Sequence, residues 1–395
     1  MNDYKYFDDL NIELIDGDRG KNYPRNDEMF EKEYCLFLNA KNVTINGFVF
    51  DENVFITKEK DELLRKGKLN RNDIVLTTRG TIGNVGLYDE SVKYDNVRIN
   101  SGMLIIRNND SNINTKYLYY QLTSPFIRDQ IFSLKTGSAQ PQIPITVLKK
   151  LKLLIPDKNI QDKIVKVMDS VVNKINLNNE INNNLYELCN NLFHEYLDKF
   201  ESKIEYKKIV EVAKKVVTGK TPSTANRDFW DGDIPFITIP DMHNQVFTIK
   251  TERNITELGA KSIIPKNSIS VSCIATVGLV SINTEDSQTN QQINSIVIEN
   301  DYDLYFLFEY LSEQKEYMKS IAGGSTTYNI NKNTFENIEV PYLPRDVLIE
   351  FNNIVSSMFE KIKLNQYENE RLSQLRDTLL PKLMNGEIDL ENIEI

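Results

Sequence analysis

Lys174-Ile-Asn-Leu-Asn-Asn-Glu-Ile-Asn-Asn-Asn-Leu-Tyr-Glu-Leu-Cys-Asn-Asn-Leu192 decides the fold, because much of it returns later in the chain. Lys174, Ile175, Leu177, Asn178, Asn182, Leu185, Leu188 and Leu192 recur as Lys361, Ile362, Leu364, Asn365, Asn369, Leu372, Leu375 and Leu379, all at one offset of 187 residues. A Lys and an Asn retained inside an apolar heptad mark two copies of one module. Ile164, Val171, Asn178, Leu185 and Leu192, with Val167, Lys174, Ile181 and Leu188 as a second row, predict a helical seam over 159–197. Pro156 precedes it, and no Pro or Gly interrupts it. At 1.5 Å per residue the helix is roughly 60 Å long, too long to lie inside a small domain. Phe351, Met358, Asn365, Leu372 and Leu379, with Ile354, Lys361 and Leu375, rebuild the seam, and Pro381 and Gly386 are expected to punctuate its end.

Outward from the helices the texture changes. Tyr34 to Leu38, Ile74 to Thr78 and Met103 to Arg107 are β-branched or aromatic runs bounded by Gly, Asn and Asp, which predicts strands, and Tyr117 to Leu122 and Phe126 to Phe132 predict short helices. Residues 203–344 repeat that texture. The expected class is α+β: two strand-rich α/β heads in tandem repeat, each followed by a long helix. The expected segments are a head at 1–157, a central helix at 158–202, a second head at 203–345, and a distal helix with an acidic tail at 346–395. Thr81, Ile82 and Gly83 match Thr276, Val277 and Gly278 at an offset of 195, while Gly137, Ser138, Gln142 and Ile143 match Gly324, Ser325, Asn329 and Ile330 at 187. Loops that diverge on equal supports imply two ligands recognised in one manner.

Composition removes several functions. A formal charge of −10 argues against the simplest nucleic-acid binder, although lysines cluster locally at 149–163 and 203–220. Cys35, Cys189 and Cys273 are odd in number and far apart, and His194 and His243 lack ligand-spaced partners, so neither a disulfide framework nor a metal site is expected. No stretch approaches the roughly 20 apolar residues of a membrane helix, and a reducing cytoplasm is the expected location. Gly219-Lys220-Thr221 imitates the end of a phosphate loop, but the leading glycine is replaced by Lys214. Gly80, Gly83 and Gly86 lie between strand-like flanks, which favours a hairpin turn over a dinucleotide loop. No nucleophile, base or carboxylate arrangement gives a catalytic frame, so none of the candidate residues is catalytic.

The polar loops remain as candidates for binding. In the first head these are Arg19, Lys21 and Tyr23, then Arg79 and Thr81, Arg98 and Asn100, and Gln140 and Gln142. In the second they are Thr218, Lys220 and Thr221, then Asp241, Thr276, Asn290 and Gln291, with Gln292, and finally Ser325, Thr326 and Tyr328. Arg, Asn and Gln can each make paired hydrogen bonds to a base edge. Lys174, Asn178, Lys361 and Asn365 are expected to set the register of the helices.

This constellation resembles the specificity subunit of type I restriction-modification systems. The segments that carry the resemblance are Asp16 to Pro24, Thr78 to Gly83, Arg98 to Met103, Gly219 to Pro222, Phe229 to Pro235 and Leu379 to Ile388. The resemblance implies that each head is a target recognition domain reading one half of a split double-stranded DNA site. It further implies that the two helices pack antiparallel as a coiled-coil spacer and dock two methyltransferase subunits, with up to two restriction subunits in addition. No cofactor is expected in this chain: S-adenosylmethionine belongs to the methyltransferase subunits, and ATP and Mg to the restriction subunits. A two-headed adaptor for protein ligands, or a single-chain restriction enzyme, are the alternatives that the residues alone leave open.

Overall fold

The computed structural model describes residues 4–134, 142–243, 245–323, 328–384 and 386–388. Two compact units divide the chain: one is Met1–Asn173 with Ser373–Ile395, the other Lys174–Leu372. Each therefore holds a head together with a part of both long helices, Lys158–Lys199 and Arg345–Met384.

In the first unit, Ile12–Asp16, Met103–Asn108, Asp73–Thr77 and Val85–Tyr88 form an antiparallel sheet in that spatial order. Alternation along these strands builds two cores from one sheet. Ile74, Leu76, Leu104 and Ile106 pack with Leu118, Leu122, Ile127 and Ile131 of the helices Thr115–Thr123 and Pro125–Ser133. Val75, Met103 and Ile105 on the opposite face meet Leu36, Leu38, Val97 and Ile99 of a second sheet, in which Cys35–Leu38 runs parallel to Val97–Ile99. The short helices start where the sequence can satisfy their free amides: Asn114 accepts from Lys116 N and Tyr117 N, and Ser124 caps the helix that Pro125 opens.

The second unit repeats this plan. Ala213–Thr218, Ile293–Ile298, Ile269–Ser272 and Val280–Asn283 pair in the same order, with Phe247–Thr248 added at the edge, and Trp230–Ile237 runs parallel to Ser287–Thr289 in the second sheet. Even the register is shared. Leu104 faces both Asp16 and Leu76, and Asn294 faces both Thr218 and Val271. The side chains differ: where the first head buries Val75 against Ile105, the second buries Ser270 against Ser295, their hydroxyls 3.1 Å apart.

The helices pair antiparallel within the second unit. Asn178 meets Asn369, Asn182 meets Asn365, Cys189 lies 3.7 Å from Met358 Sδ, and Tyr196 donates to Glu350, so position rises in one helix as it falls in the other. In the first unit Ile164, Val165 and Met168 pack with Leu380, Leu383 and Met384. The predicted second row is corrected by one residue in both copies. Leu188, Ile354 and Leu375 are 47%, 39% and 45% exposed, whereas Met168, Cys189, Val355 and Ile362 are buried. The cause is a step of four residues from the first row rather than three, which keeps the stripe turned toward both the partner helix and the head helix Leu304–Glu313. Pro381 is also corrected, since it lies inside the helix, which continues to Met384 before Gly386 takes a φ of +71°. Burial of Leu380, Leu383 and Met384 outweighs the one backbone hydrogen bond that proline forgoes.

Glu309 is fully buried on that head helix. Its Oε2 accepts from Asn190 Nδ2 at 3.2 Å, while Oε1 has no partner among the described residues. Burial pushes its carboxyl up to about 8; the Asn190 amide opposes the rise and nearby Glu313 adds to it. The folded chain therefore holds an extra proton between the ordinary value of 4.5 and about 8, and stability falls as pH rises through that window. Glu309→Gln is expected to stabilise the second unit by about 2 kcal/mol or more at pH 8 and by little at pH 4.5. Urea unfolding at both pH values checks this, and an equal change at the two would contradict it.

Candidate nucleic-acid interface

A single loop frame recurs in both heads, and it is built from main-chain bonds. In the first head Thr78 N donates to Gly102 O, Ile143 N to Thr78 O, and Gly83 N to Thr77 O; in the second, Cys273 N donates to Gln292 O, Ile330 N to Cys273 O, and Gly278 N to Ser272 O. Asn100 accepts from Gly102 N at 2.8 Å, as Asn290 accepts from Gln292 N at 2.9 Å. Gly80 and Gly83 have φ of +72° and +93°; Ala275 and Gly278 have +64° and +86°. Ala275 thus sits where its Cβ is strained by about 1 kcal/mol, at a loop tip and not in a core. The glycine run is the hairpin turn expected from the sequence, although Gly86 itself belongs to the returning strand.

On this frame the first head brings together Arg19, Arg79 and Gln142, which line one cleft with Asp16 and Thr78. Arg19 pairs with Asp16 at 3.1 Å and also reaches Ser101 O. Arg79 is exposed, and its guanidinium has no acceptor among the described residues. An isolated β-bridge joins Arg79 to Gln142 through the main chain. Lys21 and Thr81 are exposed, with Thr81 Oγ1 3.4 Å from Ala40 O. Tyr23 is half-buried against Phe37, so its ring anchors the loop more than it presents a surface.

One candidate of this head is corrected and a second is tied to the frame. Arg98 is buried, donates Nε to Asp61 Oδ1 at 2.8 Å and caps the carbonyls of Lys66 and Asp61, so it is held inside the protein and not presented to a base. Asn100 spends its carbonyl on the Gly102 turn. Both belong to the frame.

In the second head Thr221 Oγ1 donates to Gln291, and Thr276 and Tyr328 are exposed on loops joined by the bond from Ala275 N to Tyr328 O. Lys220 is exposed, while its carbonyl accepts from Gln288. Thr218 donates to Asn294 Oδ1 at 2.7 Å. Asp241 is corrected: it accepts from Thr238 N, Thr238 Oγ1 and Glu252 N, which closes a turn and would repel a phosphate. Asn290 is corrected likewise, since both ends of its amide meet Gln292. Gln140, Ser325 and Thr326 lie outside the described residues. Sequence reasoning passed over Ile274, whose β-bridge to Asn329 repeats that of Arg79 to Gln142; carrying the 195 offset two residues back from Thr276 reaches it.

The helix register is also polar. Asn178, buried, donates to Glu368 at 2.8 Å and to Asn369 at 2.9 Å and accepts from Lys174, which pairs with Glu368 at 3.2 Å. Asn365 donates to Asn182, and Asn369 to Asn179. The hydrogen bond from Asn178 and the Lys174 ammonium hold the Glu368 carboxyl below its ordinary value. Lys361 is corrected: it is exposed and acts on Glu368 only by charge. Replacing Asn178 and Asn365 together by Leu is expected to raise the melting temperature while admitting shifted alignments. Cysteine cross-linking across the pair would read this, and a single unchanged register would refute it.

Two copies of one loop frame with different tips, each copy tied to paired helices, define a tandem recognition protein. The chain belongs to the type I restriction modification DNA specificity domain family, whose model matches residues 18–187 and again residues 201–374. It is 30% identical to the HindI specificity subunit of Haemophilus influenzae, over 94% of this chain and 98% of that protein. It is 33% identical to the MjaIX specificity subunit of Methanocaldococcus jannaschii, over 43% of this chain and 41% of that one. The crystal structure of a type I restriction-modification S subunit from M. genitalium has the same fold, with a TM-score of 0.54 over 96% of this chain and 95% of that chain, at 18% identity. Among the described residues no group of His, Cys, Asp or Glu is placed to hold a metal ion, and no helix is long and apolar enough to cross a membrane.

Proposed function

We propose that this chain is the DNA sequence-specificity subunit of a type I restriction-modification complex, a non-catalytic recognition subunit in which each head reads one half of a bipartite target. The carrying observation is the loop frame held in common by both heads, Thr81 and Thr276 included, while the tips at 79 and 142 and at 274 and 329 vary. A fixed frame with variable tips suits one mode of docking on two different base sequences. Arg19, Lys21, Arg79, Thr81 and Gln142, and Lys220, Thr221, Thr276, Gln291 and Tyr328, are the side chains we assign to the duplex.

The helices act as the spacer and dock two methyltransferase subunits, which carry S-adenosylmethionine; restriction subunits, up to two, bring ATP and Mg, and the assembly works in the cytoplasm. Partner subunits that neutralise phosphates would let a chain of charge −10 devote itself to base contacts. Methylome sequencing of cells expressing the chain with its modification subunit is expected to give a split motif with one gap. Adding seven residues to each helix at matched positions adds about 10 Å of rise, so the gap should widen by about three base pairs. A gap that stayed constant would overturn the spacer role, and methylation without a split motif would overturn the reading by two heads.

A further inference from the structure

Resting on the reading of the heads as DNA readers, we propose that Arg79 with Gln142, and Ile274 with Asn329, are one reading pair installed twice, the first selecting guanine and the second thymine at the equivalent base pair. Each pair is joined across two loops by a main-chain bridge, Arg79 to Gln142 and Ile274 to Asn329. The bonds flanking the bridge are also equivalent, from Ile143 N to Thr78 O and from Ile330 N to Cys273 O. The two pairs therefore leave the same frame at the same points. Only their chemistry differs.

Arg79 offers a forked, charged donor that fits guanine O6 and N7 in the major groove. Ile274 has no donor, and its branched apolar surface fits the thymine methyl group. Gln142 and Asn329 both carry amides, so the adjoining base pair is read by the same group on stems that differ by one methylene.

The surroundings carry the same contrast. The first cleft holds the ion pair of Arg19 with Asp16, whereas the strand register puts Thr218 in the place of Asp16, hydrogen-bonded to Asn294. At this strand position the first head carries an ion pair and the second a neutral hydroxyl. Neither Arg79 nor Ile274 contributes a side-chain hydrogen bond to the frame, which makes the exchange between them compatible with folding.

The test uses the full chain assembled with its modification subunit, in three forms: unaltered, Ile274→Arg and Arg79→Ile. Methylome sequencing of the Ile274→Arg form is expected to shift one base pair of the second half-site to guanine, with roughly 5- to 150-fold preference, leaving the first half-site and the gap unchanged. Arg79→Ile is expected to remove a guanine from the first half-site alone. An unmoved motif, or an equal loss of methylation on all sequences, overturns the pairing, because the side chains would then be phosphate contacts or bystanders. Failure of both forms to assemble overturns it too, since it would place these side chains in the frame. If the unaltered complex itself gave no split motif, the reading of the heads as DNA readers would fail first, a result distinct from a split motif that the exchanges do not move.

Discussion

Asp61→Ala is expected to destabilise the first unit by about 3–5 kcal/mol, the cost of leaving a buried charge without its partner. Asp61 and Arg98 have side chains only 8% and 6% exposed, joined at 2.8 Å, and Lys68 closes on the other carboxylate oxygen at 2.5 Å. Cys35 Sγ lies 3.4 Å from the same carboxylate, and burial with that negative charge pushes its thiol up to about 12, so it stays protonated. Burial alone would raise the Asp61 carboxyl, but hydrogen bonds and charge from Lys68 and Arg98 hold it below 3.8. A depressed acid contributes stability above its unfolded value and loses it as pH falls through the lower folded value. The variant should therefore be less stable at neutral pH, and the gap to the parent should narrow toward pH 3. Denaturant unfolding at pH 7 and pH 3 measures both, and a parent-like stability at pH 7 would show that the cluster is idle.

Gly219→Ala is expected to cost the second unit about 3 kcal/mol and to abolish recognition of one half-site while sparing the other. An alanine Cβ at 219 would overlap Asn290 O, Thr289 Oγ1 and Thr289 O, two of which are main-chain atoms unable to rotate away. Gly17 faces Asn100 O in the same manner, which explains the recurrence of glycine in Asp16-Gly17 and Thr218-Gly219 by close approach rather than by phosphate binding. Circular dichroism of the melt, together with methylation of each half-site, reads the two effects separately. An alanine tolerated at either position would mean that the loop and the turn after Asn290 can part freely.

The helices and the duplication were legible because their repeat is periodic and because Lys174, Asn178 and Asn182 return as the same residues. The antiparallel sense came from the resemblance, and the second row of the seam was misread because a step of three and a step of four both find apolar residues on this helix. Leu188 looks as apolar as Cys189, and only burial separates them. The match between the heads was largely hidden, because Val75 and Ile105 became Ser270 and Ser295 at identical register. Arg98 was misassigned for a related reason: an arginine reads as a donor in search of a base until Asp61, 37 residues away, comes beside it. Ile274 was missed because an apolar residue gives no polar signal, and its position is recognisable only from the bridge to Asn329.

The loop frame also bears on how such a chain can change. Its recurring bonds run between main-chain atoms or end on Asn100 and Asn290, so the residues at 79 and 274 do not hold their own loops in place. Natural proteins have only a few kcal/mol of stability to lose, and a substitution at such a tip draws little from that reserve. Successive exchanges at the tips can therefore pass through intermediates that all remain folded, and selection can act on the reader without first repairing the scaffold.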